Sequence, residues 1–205
     1  GAAGTIYAEN QAQGAGLGTL TANANNIPSQ GATITTLIQP NVTDTGVGTV
    51  IITNMAILAL SNQTLTVRGD WLNRGAFVAF TNGTVDFAGA NPATIWTNNT
   101  FYNFTCTNAG KILSFEANRT NTVNGLLKLG ASQSGQMVTL QSTTTGSWSY
   151  LTLVSGGTQQ IARVDVKDSN AGGGQQLLAG RGSINRGNNV NWFFPKISGM
   201  VFNIR

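Results

Sequence analysis

The sequence predicts an all-β chain wound into a β-solenoid. Short runs rich in β-branched and aromatic residues recur about every 8 to 12 residues, each bounded by Gly, Asn, Asp or Pro. A looser unit recurs about every 20 residues, the length of one coil of a three-sided solenoid. Charged residues make up only 9% of the 205 residues, against about 25% in an ordinary globular chain. Stacked ladders tolerate neutral amides and hydroxyls where like charges would repel.

The rhythm is plainest over residues 68–106. Gly69, Asp70, Trp71, Asn73 and Gly75 form one phrase, Gly83, Thr84, Val85 and Phe87 the next, and Thr100, Phe101, Tyr102, Asn103 and Phe104 a third. This wording resembles the repeats of secreted bacterial right-handed parallel β-helix proteins. Residues 164–170 (VDVKDSN) and 187–194 (GNNVNWFF) resemble the way such a repeat block ends. The resemblance covers roughly residues 45–194 and implies a right-handed parallel β-helix of about seven or eight coils. It implies no particular activity, because a fold does not name one.

Taken in order, residues 1–26 are rich in Gly, Ala, Asn and Gln and are expected to form a flexible N-terminal arm. Within it Thr5, Ile6, Tyr7 and Ala8 can form a short strand, either idle or ordered on a neighbouring subunit. The solenoid domain is expected over residues 27–194. Strands are expected over 32–38, 48–53, 56–60 and 64–67, then through the central stretch, then over 111–115, 122–129, 136–141, 147–154 and 160–166. Val85, Phe104 and Leu126 stand 19 and 22 residues apart, and Val164 and Ile184 stand 20 apart. Phe80, Phe87, Trp96, Phe104, Val85, Leu126, Leu151 and Val164 are the expected core. Helix signals are confined to short pieces over residues 8–14 and 175–179. Past Pro195, residues 195–205 read as an extra C-terminal strand, in which Met200, Phe202 and Ile204 alternate with Val201, Asn203 and Arg205. That apolar face either caps its own solenoid or pairs with the next subunit.

Composition excludes several chemistries. There is no histidine, which removes Ser-His-Asp and Cys-His nucleophilic sites and most zinc sites. Seven acidic residues are too scattered for a carboxylate-rich calcium site. The three glycines at 172–174 are not followed by Lys-Ser or Lys-Thr, so no phosphate loop is expected. The net charge of +4 and pI near 9.6 come from 11 thinly spread basic residues rather than a patch, so no nucleic-acid partner is expected. No run is long enough to span a membrane as a helix. Cys106 is the sole cysteine, so no internal disulfide can form. Its alternation with Phe104 predicts a buried thiol, and an intermolecular disulfide is the alternative.

Three features could carry chemistry. Asp165 and Asp168 could serve as a carboxylate pair for glycoside hydrolysis, or pair with a basic neighbour and cap a turn. Trp71, Trp96, Trp148 and Trp192 could stack on sugars, or fill the core and cover an end. Asn-x-Thr occurs at Asn41, Asn62, Asn82, Asn98, Asn103 and Asn118, readable as glycosylation sites or as Asn ladders at turns. Thr-x-Thr motifs at residues 33, 64 and 105 are too irregularly spaced for an ice-binding array.

The expectation is therefore an extracellular structural protein without enzymatic activity, cofactor or metal. It would polymerise head to tail into a surface filament or sheath as a homo-oligomer. Thr5, Ile6, Tyr7, Ala8, Met200, Phe202 and Ile204 would make the contact. The start at Gly1, without Met, predicts a removed signal peptide or a cloning scar. The alternatives are an adhesin or module binding surface glycans, and a polysaccharide-active enzyme.

Overall fold

The computed structural model describes residues 4–25, 35–79, 82–131 and 135–195. Among these residues the only regular structure is β. The chain opens with β1 (Gly4–Ala8) and β2 (Thr19–Asn23), then β3 (Thr35–Ile38) and β4 (Gly46–Val47). It then runs repeatedly through strands in threes. The first trio is β5 (Thr49–Thr53), β6 (Ile57–Leu60) and β7 (Thr64–Val67), and the next is β8 (Trp71–Asn73), β9 (Ala76–Ala79) and β10 (Thr84–Phe87). There follow β11 (Ala93–Trp96), β12 (Asn99–Phe101) and β13 (Asn103–Cys106), then β14 (Ile112–Phe115), β15 (Thr120–Val123) and β16 (Leu126–Leu129). The last full trios are β17 (Val138–Ser142), β18 (Ser149–Leu153) and β19 (Thr158–Ile161), and β20 (Val164–Val166), β21 (Ser169–Asn170) and β22 (Leu177–Leu178). The described chain closes with β23 (Ile184–Asn185) and β24 (Trp192–Phe193).

Strands of each trio are dealt to separate sheets. The first strands build one nine-stranded sheet, β1-β2-β5-β8-β11-β14-β17-β20-β23. The third strands build a six-stranded sheet, β19-β16-β13-β10-β7-β4. Middle strands divide into β3-β6-β9 and β12-β15-β18-β21, and β22 pairs with β24. Pairing is parallel throughout except between β1 and β2.

Alternation sets which residues face in. In β10 Val85 and Phe87 are buried and Thr84 and Asp86 are not; β13 repeats this with Phe104 and Cys106. Register carries the pattern between trios: Leu65, Val85, Phe104 and Leu127 are successive partners. Corners need left-handed backbone, which Asn tolerates. Asn54, Asn62, Asn82, Asn118, Asn188 and Asn191 hold φ between 50 and 64°. Gly130, at φ 121°, follows β16 where a Cβ would stand 1.5 Å from Ala162 O.

The core is a single cluster running from Leu20 to Trp192. At its centre Trp71 meets Phe77 edge-on, with centroids 4.8 Å apart, and Phe87 stacks on Phe104 at 5.1 Å. Lys111 is wholly buried, and its Nζ donates to the carbonyls of Arg68 (2.9 Å), Ala88 (3.0 Å) and Asn91 (2.7 Å). Three acceptors match the three donors of an ammonium, so one side chain ties two successive loops together. Burial lowers its pKa from the ordinary lysine value.

Most expected core positions are buried: Val85, Phe87, Phe104, Leu151 and Val164. Two are displaced by one residue. Trp96 is 37% exposed, because β11 turns Ala93 and Ile95 inward. Leu126 is half-buried and Leu127 takes the place opposite Phe104. Ile184 likewise pairs with Asp165 rather than Val164. Phe80 lies outside the described residues.

Candidate assembly surfaces

The ladders begin and end with different chemistry. At the N-terminal end, Thr5, Ile6, Tyr7 and Ala8 lie in β1, which pairs antiparallel with β2 of its own chain, Tyr7 opposite Leu20. Of the arm expected over residues 1–26, the described strands β1 and β2 are paired with each other. Residues 4–23 form a hairpin, and β2 is already a parallel member of the nine-stranded sheet, so the sheet begins before residue 27. The hairpin is fastened at its loop. Arg68 Nη1 donates to Gly16 O at 2.9 Å, and Gly48 N donates to Gly18 O at 2.7 Å. A side chain at Gly48 would meet Leu17 O at 2.1 Å, so only glycine permits that approach. Tyr7 OH accepts from Gly18 N at 3.1 Å and donates to Glu9 Oε2 at 2.9 Å.

β1 is the terminal strand of its sheet and is exposed along its whole length, Ile6 at 65%. Beside it the core opens in a groove of about 450 Å³ lined by Tyr7, Leu20, Leu37, Ile38, Val42 and Val47, with Asp44 also on its wall.

The opposite end is also apolar. Leu178 and Phe193 are register partners in β22 and β24, and both face solvent at 49% and 52%. Trp192 is buried and stacks on Phe194 at 6.0 Å, with its indole N–H donated to Ser169 Oγ at 3.1 Å. Met200, Phe202 and Ile204, the other expected contact residues, lie outside the described residues, as does the rest of the expected C-terminal strand after Pro195.

Charge is graded along the stack. Residues 1–67 contain Glu9 and Asp44 and no Lys or Arg, a net of −2. Residues 160–205 contain Arg163, Lys167, Arg181, Arg186, Lys196 and Arg205 against Asp165 and Asp168, a net of +4. Among the described residues the C-terminal circuits hold Arg163, Lys167, Arg181 and Arg186 against Asp165 and Asp168, a net of +2, and the N-terminal end holds Glu9 and Asp44 with the Arg68 guanidinium against Gly16, a net of −1. A count of total charge misses this; a running count along the chain finds it.

The remaining candidates are engaged elsewhere. Asp165 takes both Arg186 Nε (2.9 Å to Oδ2) and Nη2 (2.9 Å). Asp168 is buried at a left-handed corner with φ 56° and accepts from Gly146 N at 3.1 Å and Asn188 Nδ2 at 2.7 Å. The two carboxylates thus face separate structural partners. Trp71 and Trp192 are core residues, while Trp96 and Trp148 are each 37% exposed. Trp148 donates its indole N–H to Asn188 O at 3.1 Å.

Asn pairs span successive trios: Asn54 to Asn23 at 3.0 Å, Asn82 to Asn62 at 3.2 Å and Asn99 to Asn121 at 2.9 Å. Cys106 is buried, and burial pushes its thiol up to about 12. Among the described residues no three His, Cys, Asp or Glu gather where they could hold a metal ion, and no helix is long and apolar enough to cross a membrane. No family model matches the chain, and no curated protein or solved structure is detectably similar to it.

Proposed function

We propose that the chain is a three-sided right-handed parallel β-helix that serves as an extracellular structural subunit, polymerising head to tail into a surface filament or sheath. The return of every third strand to the same sheet supports the winding. The right hand follows from the strong bias of parallel crossovers toward that hand. The observation that carries the function is the difference between the two ends of the stack. One offers an exposed strand, an apolar groove and acidic charge; the other offers exposed Leu178 and Phe193 and basic charge.

Unlike ends make a heterologous contact, and a heterologous contact that does not close on itself repeats without limit. Solenoids that stay monomeric blunt their ends with polar or helical caps. Low total charge, amide ladders and a single buried thiol fit a durable protein outside the cell.

Negative-stain microscopy of the concentrated full-length protein tests the reading. Unbranched fibres one chain wide are expected. Single short rods at every concentration would reject it. A second reading, glycan binding, has the half-exposed rings of Trp96 and Trp148 in its favour. It predicts glycan-array binding that Trp96→Ala abolishes.

A further inference from the structure

We propose that the apolar groove at the N-terminal end is the receptor for residues 197–204 of a second copy, which lie in it as an added strand. This rests on the head-to-tail reading above and names its contact. Buried core residues wall the groove. Leu20, Val47 and Leu65 on its wall are 8%, 5% and 1% exposed, whereas Val42 at its lip is 42% exposed. At every other level of the stack the next circuit of chain covers such a surface.

The proposed occupant matches in pattern and charge. In an extended segment Met200, Phe202 and Ile204 project to one side. That is the spacing with which Val85 and Phe87 enter the core from β10. Lys196 and Arg205 flank the three apolar residues, and Asp44 stands on the groove wall.

Reach decides which copy supplies the segment. β23, in the last circuit with β24, is seven ladder steps from β2. At about 4.8 Å a step this is about 34 Å, and about 29 Å to the circuit of Leu65, the groove's nearest wall. An extended chain advances at most about 3.6 Å per residue, so Met200 gets at most about 18 Å from Pro195 and Phe202 at most about 25 Å. Neither arrives at the groove of its own chain. In a copy stacked on the C-terminal face, the groove begins about one ladder step away. Main-chain bonds would then supply general affinity and the alternate side chains the register. Residues 26–34 link β2 to β3, and their occupation of the groove is the competing outcome of the test.

The test uses a fluorescent peptide of residues 196–205 titrated against the full-length chain carrying Phe202→Asp, whose own segment is disabled. Saturable anisotropy is expected, weakened at least about tenfold when the peptide carries Phe202→Asp or the protein carries Val42→Asp. A second measurement does not depend on Val42→Asp folding. Leu37→Cys and Phe202→Cys in separate full-length chains should form a disulfide on mixing with a mild oxidant. A chain carrying both, at nanomolar concentration, should form none within itself. Absence of peptide binding, unchanged binding to a folded Val42→Asp protein, or an internal disulfide overturns the inference. Fibres that persist in Phe202→Asp also overturn it, yet leave head-to-tail assembly standing. A parent chain that never polymerises overturns that assembly, while peptide binding still decides the groove.

Discussion

Trp71 donates its indole N–H to Asn99 Oδ1 at 2.8 Å, with Trp71 0% exposed and Asn99 4% exposed. The two residues sit in different sheets, β8 and β12, so the bond spans the interior. Asn99 in turn donates to Asn121 Oδ1 at 2.9 Å and to Trp96 O at 3.1 Å. A buried donor stripped of its acceptor costs its full desolvation, about 1–3 kcal/mol. Asn99→Leu should lower unfolding stability by about that amount, measured by urea denaturation with Trp fluorescence. A change under about 0.5 kcal/mol would mean the network does not hold the centre together.

Gly130 should be intolerant of any side chain. Its φ of 121° is outside the range L residues favour, and a Cβ would overlap Ala162 O at 1.5 Å. The obstacle is backbone of the next circuit, which cannot rotate away. Gly130→Ala should cost about 3 kcal/mol or more, or prevent folding, as read from thermal melts and soluble yield. Gly135, at φ 98° but with open space around it, should lose far less on the same change.

Cys106 predicts a pH dependence. Its folded pKa of about 12 exceeds the unfolded value of about 8.5. The stability it contributes is therefore fully present below about pH 8.5 and is lost as pH rises toward 12. Relative to Cys106→Ala, the parent should lose stability across that window. Thiol reagents at pH 8 should label the native protein far more slowly than the urea-unfolded chain.

Sequence period made the inner face legible wherever polar residues alternated strictly. Val85 and Phe104, read as one coil apart, are register partners. Errors arose where two apolar residues adjoin. Ile95 and Trp96 compete for one inward place, and a slip of one residue exchanges the faces. The outward Lys128 between Leu127 and Leu129 would have fixed the phase of β16. The hairpin leaves little trace in the sequence, because β1 carries few large apolar residues and its pairing is main-chain bonding. Lys111 was unreadable, since its three acceptors are carbonyls 20 to 43 residues away.

The charge gradient predicts a salt effect on assembly. Raising NaCl from about 10 mM to about 1 M shortens the Debye length from about 30 Å to about 3 Å. Elongation, followed by light scattering, should slow several-fold, because opposite charges at the meeting ends steer association. An elongation rate indifferent to salt would leave the gradient without a role.

The axial repeat measured by cryo-electron microscopy of assembled fibres tests the central claim most directly. The nine strands of the main sheet at about 4.8 Å, without or with one further strand at the junction, give about 43–48 Å per subunit along the fibre. Strands should lie across the axis, with their spacing of about 4.8 Å along it. Fibres with a repeat of about 20 Å, or with strands running along the axis, would mean lateral packing and would contradict end-to-end stacking.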